Sequence, residues 1–147
     1  MDSKLIHSAQ GERTYAVILE TGDEAVACLK RFAEEKELTA ASFKAIGAFS
    51  SATLAFFDWE QKTYLPIAVD EQVEVASLTG DVASGPDGEP AVHIHAVLGK
   101  RNGAAVAGHL ERAVVRPTLE VILTEAPRQL RKRFFPDLGL ALIDPDL

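Results

Sequence analysis

The sequence predicts an α+β domain: a strongly bent, mostly antiparallel sheet or partial barrel with one main helix. Three observations carry this expectation. A single segment has helical apolar spacing, with Ala25, Cys28, Leu29, Phe32 and Ala33 at i, i+3, i+4, i+7 and i+8. After it, strand-like runs follow one another, separated by Gly, Pro, Asn and Asp turn signals. Repeated βαβ units are missing, and no Gly-rich loop follows a strand, which argues against a doubly wound nucleotide-binding sheet. At 147 residues the chain fits one domain, residues 1–147, without linker or repeat. A chain of this size buries roughly two-thirds of its unfolded surface, enough for a core without metal or disulfide staples.

In chain order, residues 13–20 (RTYAVILE) are rich in aromatic and β-branched types and read as a strand. Thr21-Gly22-Asp23 supplies helix-start chemistry. A helix of about four turns follows, its exposed end marked by Glu34, Glu35, Lys36 and Glu37. Cys28 lies on the apolar stripe and reads as a small core residue. Residues 41–47 lead into Gly47, and Phe49 to Asp58 reads as a strand. Tyr64 to Val69 is short, and Pro66 makes it an edge or bulged strand. Val73 to Val82 follows, then a turn at Ser84-Gly85-Pro86-Asp87-Gly88. Ala91 to Leu98 is the next strand. Asn102-Gly103 signals a short hairpin turn, and Ala104 to Leu110 returns beside it. Val114 to Leu123 is a further strand, and Leu140 to Ile143 a last one.

The formal charge of −7 and a pI near 5.1 argue against the chain as a whole binding nucleic acid, which draws on clustered Lys and Arg. The one basic cluster is Arg128, Arg131, Lys132 and Arg133. It reads either as a solvated turn or strand edge or as a local patch for phosphate, DNA included. With 47% apolar and 25% charged residues the composition is that of a folded domain. No apolar run approaches the ~18 residues of a membrane span, so no membrane partner is expected. No apolar stretch of a secretory signal follows Met1-Asp2-Ser3-Lys4, and the single cysteine cannot form an intrachain disulfide. A reducing cytoplasm is the expected setting.

Three of the four histidines fall in one expected hairpin. His93 and His95 are two apart on a strand, so their rings share a face. The turn at Asn102-Gly103 places His95 opposite Ala107, Gly108 or His109, within reach of a shared cation, since opposed side chains have Cβ atoms about 5 Å apart. Three His with an open position form a catalytic-type zinc arrangement. The competing reading is three core or interface histidines bonded to carbonyls. Gly99, Gly103 and Gly108 lie close by, where backbone must turn or pack tightly. His7 sits in a polar N-terminal segment and reads as exposed. The metal could be zinc, nickel, iron or manganese. Alternation puts Thr118 and Glu120 on one face of the last long strand. Glu120 reads as a solvent-facing residue or as a fourth ligand or general base near the cation, with Glu111 a weaker alternative. Asp58 and Glu74 read as turn and surface residues. Ser50, Ser51 and Ser77 lack a nucleophile elbow.

Five segments occur in a recognisable order: Gly47-Ala48-Phe49-Ser50-Ser51-Ala52-Thr53-Leu54, Val73 to Gly80 (VEVASLTG), Gly88-Glu89-Pro90-Ala91-Val92-His93-Ile94-His95, Gly108-His109-Leu110 and Thr118-Leu119-Glu120-Val121. Their series resembles the PPC domain family (DUF296), in its stand-alone prokaryotic form, over about residues 8–145. The resemblance implies a bent antiparallel sheet with one main helix, assembled as a homotrimer. It implies that His93, His95 and His109 match the family's metal-site positions at a subunit interface, with a divalent transition metal, zinc foremost, as cofactor and a small molecule as ligand. The family label of DNA-binding protein would instead imply a DNA-associated regulator, and a third alternative is a structural oligomerisation module. Acetolactate decarboxylase, with an HxH pair and a later His on zinc, belongs to the same fold group, an analogy that transfers no activity. Two departures stand out. Ala107 replaces a second Gly before Gly108-His109, and no Arg-Gly-Arg hook is present.

Overall fold

The computed structural model describes residues 1–147 as nine strands and one helix. The strands are β1 (Asp2–Ala9), β2 (Glu12–Glu20), β3 (Ala40–Asp58), β4 (Thr63–Val69), β5 (Val73–Ser84), β6 (Pro90–Gly99), β7 (Ala105–Glu125), β8 (Lys132–Phe135) and β9 (Leu140–Ile143). Helix α1 spans Ala25–Glu35, between β2 and β3. Seven strands form one sheet in the order β1-β2-β7-β6-β5-β3-β4, and β8-β9 forms a separate hairpin. All of these strand pairs are antiparallel. A further pairing of β7 with β3 closes the circuit β3-β5-β6-β7, which is the strong bending that the sequence predicts.

The helical stripe is buried as its spacing requires: Ala25, Cys28, Leu29, Phe32 and Ala33 all face the core. Phe32 meets Tyr15 of β2 edge-on, with ring centroids 5.3 Å apart. Burying side chains of the size of Phe32 and Leu29 contributes about 1.5–3 kcal/mol each. The helix has 11 residues, about three turns instead of four. Its cap is Glu24, not Thr21-Gly22-Asp23. The Glu24 carboxylate accepts from Val26 N and Ala27 N, and from Ala113 N on β7 at 2.9 Å. Asp23 turns back to accept from Glu20 N and pairs with the chain's amino terminus at 3.1 Å.

The two longest strands correct the sequence reading, which divides each in two. β3 runs unbroken for 19 residues and β7 for 21. Register shifts at Ala45/Gly47 against β5, and at Gly47/Phe49, Phe49/Ser51 and Thr53/Leu54 against β7, bend them without ending them. A Cβ on Gly47 would collide with the Thr118 carbonyl oxygen. This glycine therefore marks close approach of β3 and β7, not a strand end. β1 is an added edge strand, exposed at every residue, His7 included, and joined to β2 by Gln10-Gly11, both at positive φ. β4, with Pro66, forms the other edge.

The β6–β7 connection also departs from expectation. Lys100 N donates to Ala104 O at 2.7 Å and Gly103 N to Lys100 O at 2.9 Å. Only Gly103 in this loop has positive φ. The result is a three-residue loop ending in a left-handed glycine, not a two-residue turn with two left-handed positions. No helix is long and apolar enough to cross a membrane.

Candidate metal centre

Alternation on β6 sends Ile94, Ala96 and Leu98 into the core. His93 and His95 therefore stand on the outer face of the sheet. On β7, Leu110 is buried, and its neighbour His109 faces the same outer side. The loop centred on Asn102 pairs His95 directly with His109. The three rings converge, with centroids 5.0 Å (His93–His95), 5.2 Å (His93–His109) and 5.6 Å (His95–His109) apart. One ligand nitrogen from each lies within 4.8 Å of the others.

The surroundings are specific. Tyr64 of β4 stacks on His109 at 4.7 Å, and burial pushes its phenol up, so it is a neutral hydroxyl at pH 7. Asp81 of β5 is the cross-strand partner of His93, with Oδ2 3.5 Å from Nδ1. Its Oδ1 lies 2.9 Å from Lys132 Nζ. Burial pushes the Asp81 carboxyl up, but bonding from His93 and Lys132, with their charges, outweighs it and holds the group below its usual range. Burial, and then the neighbouring charges of His93, His95 and Lys132, lower His109 to about 4. Burial and His93 also lower His95. Both rings are thus neutral at pH 7, with lone pairs free for a cation.

These residues fit a transition metal. His109 Nδ1 is buried with no hydrogen-bond partner, in a protein interior where such groups are normally satisfied. Three imidazole ligands suit zinc, copper, iron or nickel. The competing reading needs carbonyl partners, whereas His93 faces a carboxylate and His109 Nδ1 faces none.

The other sequence candidates lie elsewhere. Glu120 shares its face with Thr118 as alternation requires, but it stands eleven residues beyond His109 on the continuous strand β7, about 35 Å of strand length. It lines a separate cleft of about 540 Å³ with Ile46, Gly47, Glu74, Pro117 and Thr118. Glu120 is exposed there, and within one chain this cleft and the histidine cluster are separate. Glu111 is close enough to Tyr64 for its charge to raise that phenol. Asp58 accepts from Gln61 N in the β3–β4 turn. The basic cluster does not form one cationic face. Lys132 is buried against Asp81, Arg133 pairs with Asp144 at 2.7 Å, and Arg128 and Arg131 are exposed. Asp81, Tyr64 and the inward role of Lys132 were not identified from sequence. The available signal was Asp81 itself, a charged residue on the strand that precedes and pairs with that of His93.

The family model for the Plants and Prokaryotes Conserved (PCC) domain matches residues 6–127. Among solved structures, the plant- and prokaryote-conserved (PPC) protein of Pyrococcus horikoshii is similar at 31% identity and TM-score 0.84, over 90% of this chain and 91% of that one. A metal-containing protein of Archaeoglobus fulgidus is similar at 31% identity and TM-score 0.82, over 97% and 98%. A candidate DNA-binding protein of Bacteroides thetaiotaomicron is similar at 28% identity and TM-score 0.85, over 96% of both. No curated protein matches the chain. The model match, the bent sheet and the order of the motifs agree: the chain belongs to the Plants and Prokaryotes Conserved domain family, abbreviated PCC or PPC.

Proposed function

We propose that His93, His95 and His109 hold one divalent transition metal per chain, zinc first among the candidates, in a cytoplasmic homotrimer that offers the metal's open position to a small molecule. The observation that carries this reading is the convergence of three imidazoles on the outer face of the sheet, one with a buried nitrogen lacking any partner. The similarity to a metal-containing archaeal protein supports it. The trimer rests on the family resemblance and on the position of the cluster, on an outer face where a second copy can cover it. A metal in such a set polarises a carbonyl or lowers the pKa of a bound water. The chain's own residues orient the ligands, and Tyr64 shields one flank of His109.

The test is elemental analysis of dialysed protein, wild type beside His95→Ala, together with sedimentation equilibrium. About one metal per wild-type chain, its loss in the variant, and a mass three times that of the chain are expected. An equal metal content in the two proteins would overturn the three-histidine site. The similarity to candidate DNA-binding proteins favours a second reading, DNA association through Arg128 and Arg131. Salt-dependent DNA binding lost in Arg128→Ser/Arg131→Ser would support it, while the net charge of −7 stands against it.

A further inference from the structure

His93 is backed by a carboxylate, and that carboxylate is backed by a lysine from the C-terminal hairpin. Asp81 sits directly across from His93, with Oδ2 3.5 Å from Nδ1, at the outer limit of hydrogen-bond reach. Its other oxygen lies 2.9 Å from Lys132 Nζ, and the Lys132 side chain is only 8% exposed. A lysine is rarely so buried without a partner. The segment carrying it is fastened to the end of β5: Ser84 N donates to Leu130 O at 2.8 Å, and Ser84 bridges Arg131. Asp144 N, just after β9, donates to Arg131 O at 2.9 Å. Lys132 and its hairpin lie beyond residue 127, where the family match ends.

We propose that Asp81 is a positioning residue for the metal site and that Lys132 acts through it. Asp81 takes the Nδ1 hydrogen of His93, which leaves the Nε2 lone pair for the metal, and Lys132 holds Asp81 in that place. The inference rests on the metal reading above. Its physical basis is that a neutral imidazole carries one N–H and one lone pair, and the partner of one nitrogen decides what the other can do. Lys132 secures that partner from an element remote in sequence. The C-terminal hairpin and the metal are therefore coupled, and by linkage each strengthens the other.

A purely structural role for the Asp81–Lys132 pair would tie down the hairpin and leave the ring and the metal indifferent. Two measurements on the full chain separate the cases. Long-range ¹H–¹⁵N spectra of the metal-free protein report the tautomer of His93. Competition with a chromophoric chelator reports zinc affinity. The proteins are wild type, Asp81→Asn, Lys132→Met, Lys132→Arg and Asp81→Asn/Lys132→Met. The expected results are a wild-type His93 protonated on Nδ1, a mixed tautomer in Asp81→Asn, and zinc affinity lowered about 10–100-fold in that variant. Lys132→Met lowers affinity less, and Lys132→Arg restores it. The double variant is no weaker than Asp81→Asn, because the lysine acts through the aspartate. Zinc also slows amide exchange across Lys132–Phe135 in wild type and not in Asp81→Asn. If Asp81→Asn fails to fold, Lys132→Met alone decides through the same two readouts. Wild-type affinity and tautomer in the variants overturn the positioning role and leave the metal reading intact. A wild-type chain that takes up no zinc overturns both.

Discussion

Replacing Gly108 by alanine tests how tightly the two long strands support the histidine cluster. Gly108 immediately precedes His109 on β7, and a Cβ there would lie 2.7 Å from the Ala55 carbonyl oxygen and 3.5 Å from Leu54 Cβ. Carbon–oxygen contacts between strands settle at about 3.3–3.6 Å, so β3 and β7 must separate by about 0.6 Å at this point. Ala55 is the cross-strand partner of His109, so the displacement falls on the ligand itself. The expected cost is about 1–3 kcal/mol of stability, the usual range for overpacking. Zinc affinity should fall as well, because His109 moves relative to His93 and His95. Gly99→Ala is the control: its Cβ would meet Glu74 Cβ at 3.9 Å, an ordinary contact, and the backbone there is not left-handed. That variant should stay within about 0.5 kcal/mol of wild type. Urea denaturation of the metal-free proteins measures the first effect, and chelator competition the second. Equal stability and equal zinc affinity in Gly108→Ala and Gly99→Ala would refute the close-approach argument.

Three further outcomes are expected. His109 is lowered to about 4 by burial and by the charges of His93, His95 and Lys132, while an unfolded histidine titrates near 6.5. Between those values the unfolded chain binds a proton that the folded chain refuses. Stability of the metal-free protein is therefore full above about pH 6.5 and falls by about 1–3 kcal/mol toward pH 4. Denaturation at pH 7 and 4.5 should show this loss reduced in His109→Gln, and an undiminished loss would contradict it. Glu24→Ala removes the acceptor for Val26 N, Ala27 N and Ala113 N and should cost about 1–3 kcal/mol in urea, with Glu24→Gln recovering part of it. Cys28 is buried and its thiol is pushed up by burial, so a disulfide reagent should modify it only as fast as the chain unfolds.

The features legible in the sequence are those set by local periodicity. The five-residue stripe from Ala25 to Ala33 and the shared face of His93 and His95 follow from periods of 3.6 and 2. The pairing of His95 with His109 needs only one loop, and the structure selects one of the three registers that the Asn102-Gly103 signal allows. What was not legible depends on packing between distant segments. Polar Glu111 and Arg112 read as a break in β7, yet they are exposed positions on a strand that pairs with β3 on both sides of them. Gly47 reads as an end because its purpose, admitting Thr118, lies on another strand. β1 has no apolar face to reveal it. Lys132 reads as part of a cationic run because Asp81, its partner, is remote in sequence. The place of Glu120 was not legible for the converse reason: alternation reports a residue's face but not its distance along a strand.

The central claim is that three histidines on the outer face of the sheet hold one metal. The most direct measurement is anomalous diffraction at the zinc edge from crystals of zinc-loaded protein. One peak per chain is expected, about 2.0–2.1 Å from a ring nitrogen of each of His93, His95 and His109. A peak at other residues, or none between these rings, would contradict it.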